Sequence, residues 1–308
     1  MLAFGGRGPY HFRRPMKIIV LSRSARIHST ARLVAAARAA GHTARVVDPL
    51  DVELGLGAAG PTLRWRGGGF PAADVVIPRI GVSIHQYGLS VVKQLELAGV
   101  PTLNGAAAIE ASRHKMRSLQ LLSAAGLPVP RTVMASGPKG LAALVERVGG
   151  VPVLLKLLTT DGKGGVMVCE SLQSLEAALE AVQGLGKDLV VQQYLRGGRG
   201  RDLRAIVVGG TVVAALRRRA AAGRFARSLR RGARFDPVTL PARHARIAVE
   251  AAGVLALRVC AVDMLDEKEG PLVFEVNASP SIREAEAACE VDVAARVVAC
   301  AASLARGE

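Results

Sequence analysis

The sequence predicts an α/β (α+β) fold with about two domains. Three observations carry that expectation. In the N-terminal third, apolar runs alternate with helix-period stretches at the spacing of a βαβ unit, which implies parallel strands joined by a right-handed crossover. In the C-terminal third, two β-branched runs flank Gly209-Gly210, and two more flank the polar turn DEKEG. Half of the 308 residues are hydrophobic, 34 are glycine and only 3% are aromatic, a composition that can bury cores and excludes a disordered chain.

The elements follow in order. Lys17 to Ser22 is a continuous apolar run, the signature of a strand buried on both faces. Thr30 to Ala40 has helical spacing and stops at Gly41. Ala44 to Asp48 and Ala73 to Ile80 are the next strands, the latter ended by Pro78, and a helix spans about Ser83 to Ala98 before Gly99. Ala107 to Ala125 reads as helix, in one piece or two, up to Gly126. Leu127 to Thr132 is a proline-rich connector. Val151 to Leu158 is a strand leading into the glycine-rich stretch TTDGKGG, Ser171 to Val182 a helix, and Asp188 to Leu195 a strand. Leu203 to Arg219 is a hairpin. Leu240 to Leu257 is helical, VCAVDML and PLVFEV are strands, and a last helix covers about Val291 to Leu304.

Charge and cysteine narrow the class. The net charge is +16, and residues 196 to 234 hold twelve of the arginines with Asp202 as the one acid. Such a cluster attracts phosphates, acidic peptides or nucleic acid, or is a solvated face. Cys169, Cys260, Cys289 and Cys300 are too widely spaced for a zinc motif, so reduced thiols in a cytoplasmic protein are expected. No apolar run reaches the roughly 18 residues of a membrane span. Residues 1 to 15 are basic without an apolar segment and read as an extension ahead of Met16.

Chemistry concentrates where polar residues interrupt apolar strands. In VFEVNASPSI, strand alternation points Glu275 and Asn277 the same way. Asp263 stands amid the apolar neighbours of the preceding strand. Two carboxylates and an amide oxygen on adjacent antiparallel strands suit a hard cation such as Mg²⁺; an arginine partner for Glu275 is the alternative. Lys156 stands alone inside VPVLLKLL beside the glycine-rich stretch, where an ammonium suits a nucleotide phosphate. Lys115, in SRHKMRS, is a second phosphate candidate or an ordinary helix-surface lysine. The backbone of residues 160 to 165 could cradle phosphates, a weak signal alone. In VVQQYL, a strand turning into a connector could present backbone to an adenine, with Tyr194 packing the ring.

Taken in order, the stretches MKIIVLSR, VVDPL, VIPRIG, KMRSLQLL, LLKLL, VVQQYL, RDLRAIVVG, AVDML and EVNASP resemble the ATP-grasp superfamily, and within it the RimK-type alpha-L-glutamate ligases. The family includes the enzyme that adds glutamate to the C-terminus of a small-subunit ribosomal protein. The resemblance implies an ATP-grasp fold: an N-terminal α/β pre-ATP-grasp domain over residues 16–108 after the extension 1–15, a central small subdomain over 109–195, and a C-terminal subdomain with the metal site over 196–308. It implies ATP with Mg²⁺ or Mn²⁺, two ions, held by Asp263, Glu275 and Asn277. Lys115, Lys156, Gln193, Tyr194, Asp202, Arg227 and Ser228 would contact the nucleotide, and Arg204 and Arg218 would stabilise the transferring phosphate or acyl phosphate. The implied reaction joins glutamate or a related amino acid to a peptide or protein C-terminus, or to a small acidic acceptor, through an acyl phosphate. The implied protein is cytoplasmic and not membrane-bound, meets nucleic acid only through the ribosome, and can be a homo-oligomer.

The sequence departs from the family pattern in three places. The glycine-rich loop has shifted glycines and an acid, Asp161. In Ala226 to Ala233 the family's asparagine is missing and its arginine and serine stand one place late, at Arg227 and Ser228. Ser281 replaces a glycine after EVNASP. These departures, with the arginine cluster, motivate two alternatives: a basic ribosome- or RNA-associated protein with altered catalysis, and a lysine-biosynthesis-type ligase acting on a carrier protein.

Overall fold

The computed structural model describes residues 14–58, 60–135, 140–157, 166–183, 189–195, 202–219 and 234–308. In chain order the elements are β1 Lys17–Leu21, α1 His28–Ala39, β2 Thr43–Val47, β3 Val52–Gly55, β4 Thr62–Trp65, β5 Gly68–Gly69, β6 Val75–Pro78, α2 His85–Leu97, α3 Ala106–Arg113, α4 Lys115–Ala124, β7 Thr132–Ala135, α5 Leu141–Val148, β8 Val153–Leu157, β9 Val166–Cys169, α6 Leu172–Gln183, β10 Leu189–Gln193, β11 Asp202–Val208, β12 Thr211–Arg219, β13 Arg234–Pro237, α7 Ala242–Val254, β14 Val259–Glu267, β15 Gly270–Asn277, α8 Arg283–Cys289 and α9 Val293–Ala305.

The N-terminal unit is a parallel sheet in the order β2-β1-β6, as the βαβ spacing requires. Its central strand is buried on both faces. Ile18 and Val20 enter one core, Ile19 and Leu21 the other. A small antiparallel sheet, β3-β4-β5, which sequence patterning does not reveal, flanks it.

The middle of the chain folds into a four-stranded antiparallel sheet, β7-β10-β8-β9, with its own core around Val148, Val153, Leu175 and Val191. The apolar faces of α5 and α6 close that core. The proline-rich connector runs directly into the edge strand β7.

The C-terminal sheet is antiparallel, in the order β13-β12-β11-β14-β15. Gly209 and Gly210 turn the β11–β12 hairpin with φ of +56° and +75°, a pair of left-handed conformations that glycine adopts without strain. One face of this sheet buries Leu203, Ala205, Val207, Val262 and Met264 in the core that also holds Ile247, Ala248 and Ala251 of α7. The other buries Ile206, Val208, Ala214, Leu216, Val259 and Ala261 with α1, α8 and α9.

The parallel and C-terminal sheets share both cores, and one side chain seals the seam between them. Residues 101–104 run along the free edge of β6: Val76 N–H donates to Pro101 O and Leu103 N–H to Val76 O. The buried Asn104 then crosses to the other sheet. Its Nδ2 donates to Val259 O at 2.7 Å and Ala278 O at 3.0 Å, and its Oδ1 accepts from Arg258 N at 2.9 Å and Val259 N at 3.1 Å. Two donors and two acceptor positions are all an amide has. An ion pair reinforces the contact nearby, Arg32 Nε to Glu286 Oε2 at 2.8 Å.

The predicted helix over 107–125 is two helices. His114 adopts φ −76° and ψ 96°, ends α3, and caps α4 by accepting a hydrogen bond at Nδ1 from Arg117 N. A separate helix, α8, precedes the last one, which begins with Asp292 as its cap. All four cysteines are free, and among the described residues no helix is long and apolar enough to cross a membrane.

Two outcomes test this packing. Asn104→Leu strands four buried backbone groups and should lower unfolding stability by about 2–4 kcal/mol in urea titrations; a loss within experimental error would show that the amide does not hold the seam. Burial pushes the Cys260 thiol up to about 12, with Asp263 adding to the shift, and raises the other three thiols as well. In the native protein at pH 8, Ellman's reagent should therefore react first with the half-buried Cys289 and Cys300, and with all four thiols only after denaturation. Rapid modification of four thiols in the folded state would contradict the buried positions.

Candidate functional site

Strand alternation explains why the charges gather where they do. On the face of the C-terminal sheet that carries Ile206, Val208, Ala214, Leu216, Val259 and Ala261, the next position along each strand is charged. These positions are Asp202 and Arg204 on β11, Arg218 on β12 and Asp263 on β14. The shared core thus ends in a charged band.

Two cross-strand ion pairs organise the band. Arg204 and Asp263 are opposite in register, with Nε to Oδ1 at 2.7 Å and Nη2 to Oδ2 at 2.8 Å. Asp202 and Arg218 are likewise opposite, joined at 2.7 Å. The Asp263 and Asp202 side chains are 5% and 4% exposed, so each carboxylate needs its partner. Arg204 is raised above its ordinary pKa chiefly by the charge of Asp263, with Glu275 and Glu284 contributing.

Beside this band, Asp263 pairs in register with Glu275 on β15, and the register shifts immediately afterwards, between Asp263 and Met264. The irregularity leaves Phe274 as the extra residue of β15. Bulges re-aim side chains, and this one coincides with the two carboxylates. Glu275 is exposed, and Asn277 is half-buried with its Oδ1 accepting from Ser279 N at 2.9 Å. Part of the answer to why an amide stands at 277 is therefore local: it holds the turn that leaves β15.

Glu275 and Asn277 line a cavity of about 330 Å³, and Lys115 lines it from the start of α4. The opposite wall comes from the carboxyl ends of β1 and β6, through Ser22, Arg79 and Ile80, and from the start of α1. In a parallel sheet whose strand order reverses at its central strand, this is where ligands are expected. The break at His114 matters here. Arg113 and Lys115 would point roughly 200° apart on one continuous helix, yet both line this cavity.

The donor set suits a hard divalent cation. Among the described residues no group of three or more His, Cys, Asp or Glu side chains could hold a metal, so a site here would need the Asn277 amide beside the two carboxylates. Each Asp263 oxygen takes one hydrogen bond from Arg204 and keeps a further lone pair. Asp263, Glu275 and Asn277 thus remain able to serve as oxygen ligands.

The remaining predicted residues are not among those lining this cavity. Lys156 is buried in the middle of β8, between Val190 of β10 and Val166 of β9. Gln193 ends β10, its Oε1 accepting from Arg131 N at 3.3 Å and Nε at 3.4 Å, and Tyr194 follows it. Arg204 and Arg218, expected at a transferring phosphate, are engaged by Asp263 and Asp202, because a buried carboxylate recruits the guanidinium directly across the strand. Asp202, expected at a ribose, is correspondingly occupied by Arg218. His114 is exposed and acts as a cap. Arg227, Ser228, the glycine-rich residues 160–165 and the arginines of 196–201 and 220–233 lie outside the described residues.

Sequence reasoning missed Arg79, Arg113, Ser118 and Ser279 as cavity residues. Arg79 carried a usable signal, a lone cation at the end of an apolar strand, the same reading that singled out Lys156.

The comparisons with known proteins agree with this architecture. A RimK pre-ATP-grasp domain matches residues 16–109, and a RimK-like ATP-grasp domain matches residues 112–301. A protein of Thioalkalivibrio sulfidiphilus named "Probable alpha-L-glutamate ligase" is 44% identical over 283 residues, covering 92% of this chain and 94% of its own. Among solved structures, a RimK domain ATP-grasp protein from Sphaerobacter thermophilus superposes with a TM-score of 0.72 at 24% identity, covering 92% of this chain and 99% of its own. The ATP-grasp ligase PsnB, solved with a phosphomimetic variant of minimal precursor, Mg and ADP, gives 0.71 at 21% identity, covering 96% and 99%. Two domain models that together account for nearly the whole chain, and a full-length relative at this identity, leave one assignment: the chain belongs to the RimK-like ATP-grasp family.

Proposed function

We propose that the protein is an ATP-dependent carboxylate–amine ligase that adds glutamate, or a closely related amino acid, to an acceptor carrying a carboxylate, at the C-terminus of a peptide or protein. The observation that carries this reading is the cross-strand pairing of Asp263 with Glu275, which together with Asn277 lines a cavity that Lys115 also lines. The 44% identity to a named alpha-L-glutamate ligase over 92% of the chain supports glutamate as the amino acid.

In the proposed reaction an acceptor carboxylate oxygen attacks the γ-phosphorus of ATP, the bond to the β-phosphate oxygen breaks, and ADP leaves with an acyl phosphate formed. The amine of the amino acid then attacks the acyl carbon. Phosphate departs and a proton is released as the amide forms. A divalent cation held by Asp263, Glu275 and Asn277 would supply charge neutralisation at the phosphates. The chain's own residues position and balance charge. Arg204 orients Asp263 through two hydrogen bonds. Lys115 offers an ammonium in the cavity, and Lys156, Gln193 and Tyr194 are assigned to the nucleotide through the family pattern. Asp202 and Arg218 hold one another, and through β11 and β12 they brace the strand that carries Arg204.

Glu275→Gln and Asp263→Asn should each lower Mg²⁺-dependent ADP release, with glutamate and an acidic peptide present, by at least about 100-fold, while Lys93→Ala, in an exposed ion pair outside the cavity lining, should leave it unchanged. Wild-type levels of ADP release in both carboxylate variants would remove the metal assignment. Arg204→Met should destabilise the fold by about 3 kcal/mol, because it leaves Asp263 buried and charged, and the double variant Arg204→Met/Asp263→Leu should recover much of that loss. Additive losses in that cycle would show that the pair is not coupled.

A further inference from the structure

The cavity holds more positive charge than its own residues neutralise. Arg79 and Arg113 both line it, together with Lys115, and among the described residues Glu275 is the one carboxylate in the lining. Among the described residues neither arginine has a carboxylate partner. Arg79 Nη2 donates to Ser29 Oγ at 3.1 Å and Pro280 O at 2.7 Å, and Arg113 Nη2 donates to Ile80 O at 2.8 Å. All three contacts are to neutral oxygens. Burial without a counter-ion lowers Arg79 to about 10, and burial also lowers Arg113. Arg204, one short step away in the charged band, is shifted the other way by Asp263.

A second, independent feature points to the same place. Arg113 Nη1, Ser118 Oγ and Ser279 Oγ are buried and have no hydrogen-bond partner, and all three residues line this cavity. Unmade hydrogen bonds at buried polar atoms are costly and rare in native folds. Three of them around one void, with two guanidiniums lacking counter-ions, describe a site complementary to an anion with several acceptor oxygens.

We propose that this cavity is the seat of a carboxylate group of the organic substrate, an acidic amino acid or the acidic end of a peptide, anchored by Arg79 and Arg113 with Ser118 and Ser279 completing its hydrogen bonds. A planar guanidinium matches a carboxylate through two parallel hydrogen bonds. Among the described residues none of the lining belongs to the central sheet, which carries Lys156 and Gln193, so the part of the cavity formed by Arg79, Arg113, Ser118 and Ser279 favours substrate over nucleotide. The volume, about 330 Å³, is at the small end for ligand pockets and suits one amino-acid-sized group. The charge argument stands by itself; the identity of the occupant as a ligase substrate rests on the function proposed above.

The test is calorimetric titration of triglutamate into the full chain with and without AMP-PNP, and of AMP-PNP alone, for the wild type and for Arg79→Met, Arg79→Lys and Arg113→Met. Triglutamate should bind the wild type, trialanine should bind much more weakly, and each methionine variant should weaken triglutamate about tenfold or more. Arg79→Lys should recover part of the affinity, and AMP-PNP affinity should stay within about twofold throughout. In turnover, KM for the acidic acceptor or glutamate should rise while kcat changes little. If Arg79→Met does not fold, as judged by its melting transition, Arg113→Met and Ser279→Ala carry the same readout. No triglutamate binding by the wild type, unchanged affinity in both methionine variants, or a parallel loss of AMP-PNP affinity would each overturn the assignment. If no acceptor supports ADP release while triglutamate binding still depends on Arg79, the ligase reading falls and the site stands. If turnover persists with unaltered KM in both variants, the site falls and the ligase reading stands.

Discussion

The four hydrogen bonds of Asn104 are the constraint on which the geometry of the cavity depends. Neither sheet alone makes the site. The cations Arg79 and Arg113 belong to the N-terminal unit and to the helix pair that follows it, and the oxygen donors Glu275 and Asn277 belong to β15. Their separation is set by how residues 101–104 run along β6 and how Asn104 grips the first residue of β14 and the residue after β15. Because the amide's donors and acceptors are all satisfied inside the protein, the joint has one arrangement and no competing hydrogen-bond partner from solvent. The two cores that cross the joint supply the bulk of the burial energy. Apolar packing tolerates sliding, whereas a saturated amide fixes register.

The charged band follows from the same economy of faces. A strand whose alternate residues are buried must change character where the covering helices stop. On β11 that change lies between Ile206 and Arg204, on β14 between Ala261 and Asp263, and on β12 between Leu216 and Arg218. The three changes line up across neighbouring strands, so the charges meet as pairs in register. Arg204 and Arg218 neutralise Asp263 and Asp202 inside the band, which leaves Glu275 as the carboxylate that faces the cavity. An ion pair that close to a metal-ligand candidate has a second effect: the two hydrogen bonds from Arg204 fix the orientation of the Asp263 carboxylate.

How much of this is legible in the sequence differs by feature. The strands are legible because Lys17–Leu21, Val153–Leu157 and Val259–Leu265 are apolar runs with few alternative folds. The antiparallel pairing of Asp263 with Glu275 is legible because the turn between their strands is short. What is not legible is whatever depends on partners distant in the chain. Arg204 reads as a free cation until Asp263, 59 residues away, is seen across from it. Asn104 reads as a loop residue, since its partners lie more than 150 positions downstream. The small sheet β3-β4-β5 is hidden because Gly68–Gly69 has no side chains to pattern, and α8 because its seven residues carry two acids in the first turn and show no long apolar period.

His114 shows how a local choice becomes a functional one. A continuous helix through 106–124 would satisfy the backbone equally well, and nothing in the apolar spacing forbids it. The extended conformation at His114 gives up helical hydrogen bonding at one residue and recovers a cap through its own imidazole. The return is directional. Arg113 ends one helix with its guanidinium on Ile80 O, Lys115 begins the next, and both reach the same cavity from adjacent turns. Placing two cations on one wall is electrostatically unfavourable in the empty site, since they repel one another and no carboxylate of the wall offsets them. A fold that maintains such an arrangement, together with Arg79 beneath it, is organised around negative charge that arrives from outside. Glu275 is exposed and sits on β15 rather than on either helix of that wall. The cavity therefore has two electrostatic characters: cationic groups from the N-terminal unit and the helix pair that follows it, and the oxygen-bearing side chains Glu275 and Asn277 on β15.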